Sequence, residues 1–301
     1  MRLDDLDPSS NVSDQGSGGG MGFGGGGGGP LGLIFGLLPM LLGRKLGCGT
    51  LAIIAVVGYF VMSSGMLSTG GTGTTPQLSG QQSGTNGASG ANVACDTQDE
   101  LFACRVLKST EDTWSQLVQN YKPATLNFYQ GGGQSGCGAA QSAMGPFYCP
   151  SDQGVYLDTS FFQQMEKQMG AGGDFAYAYV IAHEVGHHIQ NLAGIAGQVR
   201  KLQAQSSEAD GNRLQVGMEL QADCFAGVWA GINADRIEPG DIEEGMRAAN
   251  AIGDDTLMQQ AGRAPVESMF THGTSAQRME ALKRGMQAKN PNACNYLQGL
   301  S

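Results

Sequence analysis

Basic side chains are scarce: lysine and arginine together number 17 of 301 residues, against 27 acidic ones, and nowhere do they cluster. That argues against a nucleic-acid binder, because neutralising phosphates needs grouped Lys and Arg. Charge of either sign is only 15% of the chain while 41% is hydrophobic, so the sequence is not a highly charged disordered polymer and a core is within reach. No C-x-x-C pair occurs among the seven cysteines, which removes the common zinc-ribbon and dithiol redox motifs. Histidine is rarer still, with four residues, three of them inside six positions.

Glycine is abundant and unevenly spread, with 25 of the 49 in residues 1–92. Residues 16–29 are almost all glycine, have no side chains for a core and are the costliest backbone to order. A disordered tail over residues 1–45 is therefore expected. Leu46–Leu67 carries no charge, and as a helix it spans roughly 33 Å, enough for a hydrocarbon core of about 30 Å. Arg44 and Lys45 precede this run, whereas Ser68–Val93 carries no charge. The positive-inside rule then puts the N-terminus in the cytoplasm and the bulk of the chain outside, in the periplasm or cell exterior, with residues 46–67 contacting the lipid bilayer as a single-pass anchor. Were the apolar run Leu31–Gly43 also inserted, as a hairpin, the bulk would return to the cytoplasm. Residues 68–92 are Gly, Ser, Thr, Gln and Asn with Pro76, a flexible linker, and a folded domain is expected over 93–301.

Cys48 lies in the apolar run, and Cys95, Cys104, Cys137, Cys149, Cys224 and Cys294 lie beyond the linker. Six cysteines allow about 15 pairings. Nearest neighbours, Cys95–Cys104, Cys137–Cys149 and Cys224–Cys294, are the expected ones because short separations close most readily. Disulfides persist in oxidising compartments, in agreement with the charge-based topology; six buried thiols in a cytosolic domain is the competing reading.

The segment from Asp174 to Leu192 has apolar residues at helical spacing, Asp174 as the expected N-cap and glycines beyond its end. On that helix His183 and His187 stand one turn apart on one face, as two ligands of one tetrahedral ion must. Glu184 sits one position round, where it reaches a water without being a ligand, and the whole is H-E-x-x-H. His188 points about 100° away, which suits packing or hydrogen bonding. Two histidines call for a third ligand. Glu219 and Asp223 lie four apart on a second apolar helix, where buried carboxylates are costly unless paired or metal-bound. Glu219 as ligand, with Asp223 accepting the other ring N–H of a ligand histidine, satisfies both.

His183-Glu-x-x-His187 followed by Glu219-x-x-x-Asp223 resembles the glutamate-zincin arrangement of metallopeptidases. More closely, His-Glu-Val-Gly-His-His at 183–188, Glu-Leu-Gln-Ala-Asp-Cys-Phe-Ala-Gly-Val-Trp at 219–229 and Thr271-His-Gly-Thr-Ser-Ala-Gln-Arg278 resemble the neutral zinc metallopeptidases of bacteria. The likeness covers about residues 93–298 and, in layout only, the anchor. By chemistry alone His272 is as readily a capping or surface residue as a catalytic one. The resemblance implies a downstream histidine set over the zinc to stabilise the tetrahedral intermediate.

Short strands are expected at 124–130, 146–150 and 154–158, with helices at 99–121, 159–169, 239–252 and 275–287. The fold class expected is an α+β zincin-like domain, mostly helical with a small mixed sheet, behind one transmembrane helix and a Gly-rich tail. The function expected is a membrane-anchored zinc endopeptidase using one Zn²⁺, with His183, His187 and Glu219 as metal ligands, Glu184 and His272 catalytic, and a peptide or protein as substrate. The alternatives are a zinc-containing envelope scaffold and an amidase acting on peptidoglycan. Oligomeric state has no signature in the sequence.

Overall fold

The computed structural model of the protein describes residues 1–17 and 94–297. The uncharged run 46–67, the linker 68–92 and residues 18–45 of the tail lie outside the described residues. Among the described residues no helix is long and apolar enough to cross a membrane.

Among the described residues, eight helices and a six-stranded sheet make up the body. The strands are β1 (Val12–Ser17), β2 (Thr125–Gln130), β3 (Gly132–Ser135), β4 (Gly138–Gln141), β5 (Phe147–Cys149) and β6 (Gly154–Leu157). The sheet is mixed: β2 runs parallel to β1 and β6, while β5 and the β3–β4 hairpin pair antiparallel. β5 forms one end of the order β4-β3-β2-β6-β5.

The helices are α1 (Gln98–Leu117), α2 (Ser160–Met169), α3 (Asp174–Leu192), α4 (Ile195–Gln203), α5 (Glu208–Ile232), α6 (Asp241–Ala251), α7 (Asp254–Gln260) and α8 (Ser275–Ala288). A capping box of Thr97 and Glu100 starts α1, and Thr274 with Gln277 starts α8 in the same way. Asp174 is not the cap of α3: Gly173 holds that position, and Asp174 is the first helical residue. α3 and α5 are buried nearly all round, in keeping with sequences that are apolar on every face. Trp114 packs edge-on against Phe225 at 5.4 Å, and Phe175 stacks on Trp229 at 6.4 Å, joining α1, α3 and α5 in one core. The three disulfides are Cys95–Cys104, Cys137–Cys149 and Cys224–Cys294, as expected from nearest-neighbour closure.

Residues 1–17 depart from the expected tail. Met1 and Leu3 are buried in the main core, β1 pairs with β2 in the register Val12↔Leu126, and Ser9 and Asn11 both donate to Glu111 of α1. The Met1 amino group lies among Asp174, Glu238 and Asp241, at 2.6, 3.3 and 3.0 Å, against the start of α3. The folded body therefore includes residues 1–17 as well as the region after 93. Paired strands are about 4.8 Å apart, so β1 and β2 share one side of any bilayer.

Candidate metal centre

α3 carries His183 and His187 one turn apart, and α5 crosses it at very short range. A Cβ placed on Gly186 would lie 2.9 Å from the Ala222 carbonyl oxygen and 3.0 Å from Ala222 Cα, so a residue without a side chain is what lets the backbones meet. This approach brings Glu219 of α5 to the histidines. Its Oε2 is 3.2 Å from His183 Nε2 and 3.5 Å from His187 Nε2, and the three side chains offer donor atoms within 4.8 Å of one another. Tetrahedral ligands held about 2.0–2.1 Å from zinc stand about 3.4 Å apart, so the spacing fits that ion.

The hydrogen bonds behind the histidines set their tautomers. His183 Nδ1 is 2.7 Å from Asp223 Oδ1, and His187 Nδ1 is 2.8 Å from Gln190 Oε1. Gln190 donates its amide N–H₂ to Met218 O and Gln221 Oε1, which leaves its oxygen for His187. Both partners accept, so both Nδ1 atoms carry a hydrogen, and each Nε2 faces the Glu219 carboxylate, where it holds a proton or, once that proton is lost, offers its lone pair to a cation. With those protons lost, three acceptors converge where only positive charge relieves them. Burial opposes charging of His183, but Asp223 and Glu219 outweigh it and push its pKa up to about 10. The same balance raises His187, while Glu219, despite its burial, is held well below the ordinary carboxylate range by the two imidazoles. The donor set is that of a divalent-cation site, and the family described below makes zinc the implied ion.

Glu184 is also buried, and burial raises its pKa against the lowering pull of the neighbouring imidazoles. Asp223 is fully buried and heavily engaged. Its Oδ1 accepts from Tyr179 at 2.6 Å and from Arg278 Nη2 at 2.9 Å as well as from His183, and its Oδ2 accepts from Arg278 Nε at 2.8 Å. The sequence reading gave Arg278 no task and did not single out Tyr179 or Gln190. An acid buried on an apolar helix needs a cation, and Arg278 closes the motif that begins at Thr271; that was the available signal.

His272 sits in the turn before α8. Its Nδ1 is 3.1 Å from Asp254 Oδ1, while Asp254 Oδ2 accepts the backbone N–H groups of Thr271, His272 and Gly273 at 2.7, 2.6 and 3.0 Å. His188 points elsewhere, as expected. Fully buried, it donates from Nε2 to the Lys122 carbonyl at 2.6 Å and accepts from Tyr148 at 3.0 Å, tying β5 to α3.

Two helices bring together two imidazoles and a carboxylate, from an H-E-x-x-H segment and a downstream Glu, in a candidate metal site of the zinc-peptidase pattern. The profile of the family described as "Putative neutral zinc metallopeptidase" matches residues 1–297, and the chain belongs to that family. It is 46% identical over 259 residues to the uncharacterized protein YpfJ of Escherichia coli, covering 83% of this chain and 86% of that one. To the uncharacterized protein Rv2575 of Mycobacterium tuberculosis it is 40% identical over 214 residues, covering 65% and 71%. No solved structure matches the chain significantly.

Proposed function

We propose that the protein is a zinc-dependent endopeptidase of the cell envelope. The observation that carries this reading is the convergence of two Nε2 atoms and the Glu219 carboxylate beside a buried Glu184. Zinc, when bound, supplies a Lewis acid that brings the pKa of water towards 7 and polarises the scissile carbonyl. Glu184 takes the proton of the attacking water and delivers it to the leaving amine. Its raised pKa suits a group that must both accept and release a proton. His272, steadied by Asp254, donates to the oxygen that gains negative charge. An extended peptide adds as a strand along β5, the end of the sheet that Tyr148 fastens to the histidine helix.

The three disulfides favour an oxidising compartment outside the cytoplasm, and residues 46–67 attach the protein to the membrane. Because β1 and β2 are paired, residues 1–17 share that compartment with the domain.

The test is incubation of the full chain with an unfolded protein and, separately, with muropeptides, with and without a chelator. Chelator-sensitive cleavage of the protein is expected, with Glu184→Gln retaining zinc and losing activity by at least about 100-fold. Cleavage of muropeptides alone would turn the reading to an amidase. Cleavage of neither, with Glu184→Gln indistinguishable from wild type, would leave a zinc-bearing scaffold.

A further inference from the structure

The guanidinium of Arg278 is directed at one acceptor group. It is 2% exposed, and it meets both oxygens of Asp223 through two N–H groups, in the forked geometry that fixes a carboxylate in direction as well as position. Its Nη2 lies 3.4 Å from the Tyr179 oxygen and 3.5 Å from His183 Nδ1, and its Nη1 donates to the Ile252 carbonyl at 3.3 Å. A line of contacts thus runs from α8 through Asp223 of α5 to His183 of α3. It ends on the ring nitrogen opposite the one that faces Glu219.

The packing that supports this line is close and rigid. A Cβ on Gly285 of α8 would stand 1.9 Å from the Cys224 carbonyl oxygen, and one on Gly227 of α5 would stand 2.1 Å from the Leu282 carbonyl oxygen. The Cys224–Cys294 disulfide joins α5 to the segment just after α8. For stability alone an apolar pair in place of Arg278 and Asp223 would serve as well, since desolvating two charges consumes most of what their attraction returns. The forked pair therefore points to a geometric task.

We propose that Arg278 is a positioning residue of the zinc centre: it fixes the Asp223 carboxylate in the orientation that aims His183 Nε2 at Glu219 and His187, and so sets zinc affinity from a helix that supplies no ligand. This rests on the zinc reading above and deepens it. Without the fork Asp223 is free to turn toward Tyr179, and the His183 ring loses the partner that holds its plane.

The experiment measures zinc dissociation constants on the full chain by competition with a chromogenic chelator, for wild type, R278M, R278K, D223N and the double variant D223N/R278M. R278M is expected to weaken zinc binding by about 10- to 100-fold, and R278K, which keeps the charge but not the fork, by about tenfold or less. In the D223N background R278M is expected to add less than about twofold, because its route to the metal is already cut. Peptidase activity lost at limiting zinc returns when zinc exceeds the new dissociation constant, with KM unchanged; loss of folded protein would show no such rescue. The double variant buries no unpaired charge and keeps the comparison with D223N available if R278M alone fails to fold. Zinc affinity within twofold of wild type in folded R278K and R278M overturns the proposal, as does a further tenfold loss in the double variant over D223N. A wild type that binds zinc and cleaves nothing overturns the peptidase reading alone, whereas one that binds no zinc overturns both.

Discussion

Replacing Gly186 with alanine tests whether the crossing of α3 and α5 sets the metal site. The new Cβ would lie 2.9, 3.0 and 3.2 Å from the oxygen, Cα and Cβ of Ala222. Comfortable carbon contacts begin near 3.5 Å, so the two helices must part by roughly half an ångström. Alanine gains about 1 kcal/mol over glycine in a helix interior, and overpacking costs about 1–3 kcal/mol, so the net loss of apo stability is about 0–2 kcal/mol. The effect on zinc is larger in relative terms, because ligand distances tolerate only about 0.2 Å of error. Separation of the helices carries Glu219 away from His183 and His187, and zinc affinity should fall about tenfold or more. Gly211 is the control: it lies on α5, the helix that carries Glu219, and a Cβ there meets nothing within 4 Å. Gly211→Ala should gain up to about 1 kcal/mol and leave zinc untouched. Urea unfolding of the apo chain and chelator competition read the two quantities. If Gly186→Ala gains stability as Gly211→Ala does and binds zinc as wild type does, the crossing is not what spaces the ligands.

Leu3→Ala should cost about 2–5 kcal/mol in urea unfolding of the full chain, since Leu3 is 2% exposed in the main core; no change would remove residues 1–17 from the folded body. Replacing Cys224 and Cys294 together, which opens a loop of 70 residues, should cost about 4 kcal/mol on the chain-entropy account, read as a lower melting temperature relative to the disulfide-bonded chain. Asp158 accepts from Gly131 N–H, Ser160 N–H and Ser142 Oγ, and although burial alone would raise its pKa, these bonds bring it below 3.8. Its contribution is therefore complete above the unfolded pKa and disappears as pH falls through the lower folded value, so Asp158→Asn should flatten the acid limb of the stability profile below about pH 4. His272→Ala should lower kcat about 100-fold with zinc content unchanged, and a zinc loss equal to that of His187→Ala would make it a ligand instead.

The metal helix was legible because its signals are local. Apolar spacing, two histidines four apart and a glycine between them all lie within one segment. Glu219 and Asp223 were legible for a different reason: carboxylates at helical spacing among Ala222, Phe225 and Trp229 require a partner. What the sequence concealed depends on distant partners or on glycine used in an unfamiliar way. β1 is VSDQGS, with little apolar alternation, and it takes its conformation from a backbone ladder to β2 more than a hundred residues on. The β3–β4 hairpin has four glycines in its ten residues and reads as a turn until the Gly132–Gln141 and Ser135–Gly138 pairs are seen. Gly197 reads as a helix stop and instead lies inside α4. Arg278 is 55 residues from the acid it serves, and no periodicity links them.

The first strand also changes how this protein can be divided. Residues 1–17 are held to the body only by non-covalent contacts and by a chain that runs through the whole intervening region. A fragment beginning at residue 94 would therefore start with the β1-facing edge of β2 unpaired and with an apolar recess where Met1 and Leu3 belong. Such an edge recruits other strands, including those of other molecules, so the isolated fragment should self-associate. Supplying residues 1–17 as a separate peptide should reverse this, by strand addition in trans, at concentrations far above those the tethered segment requires. The two pieces together then make a split protein whose reassembly reports directly on the state of the histidine helix, because the peptide's amino end docks at Asp174, where that helix begins.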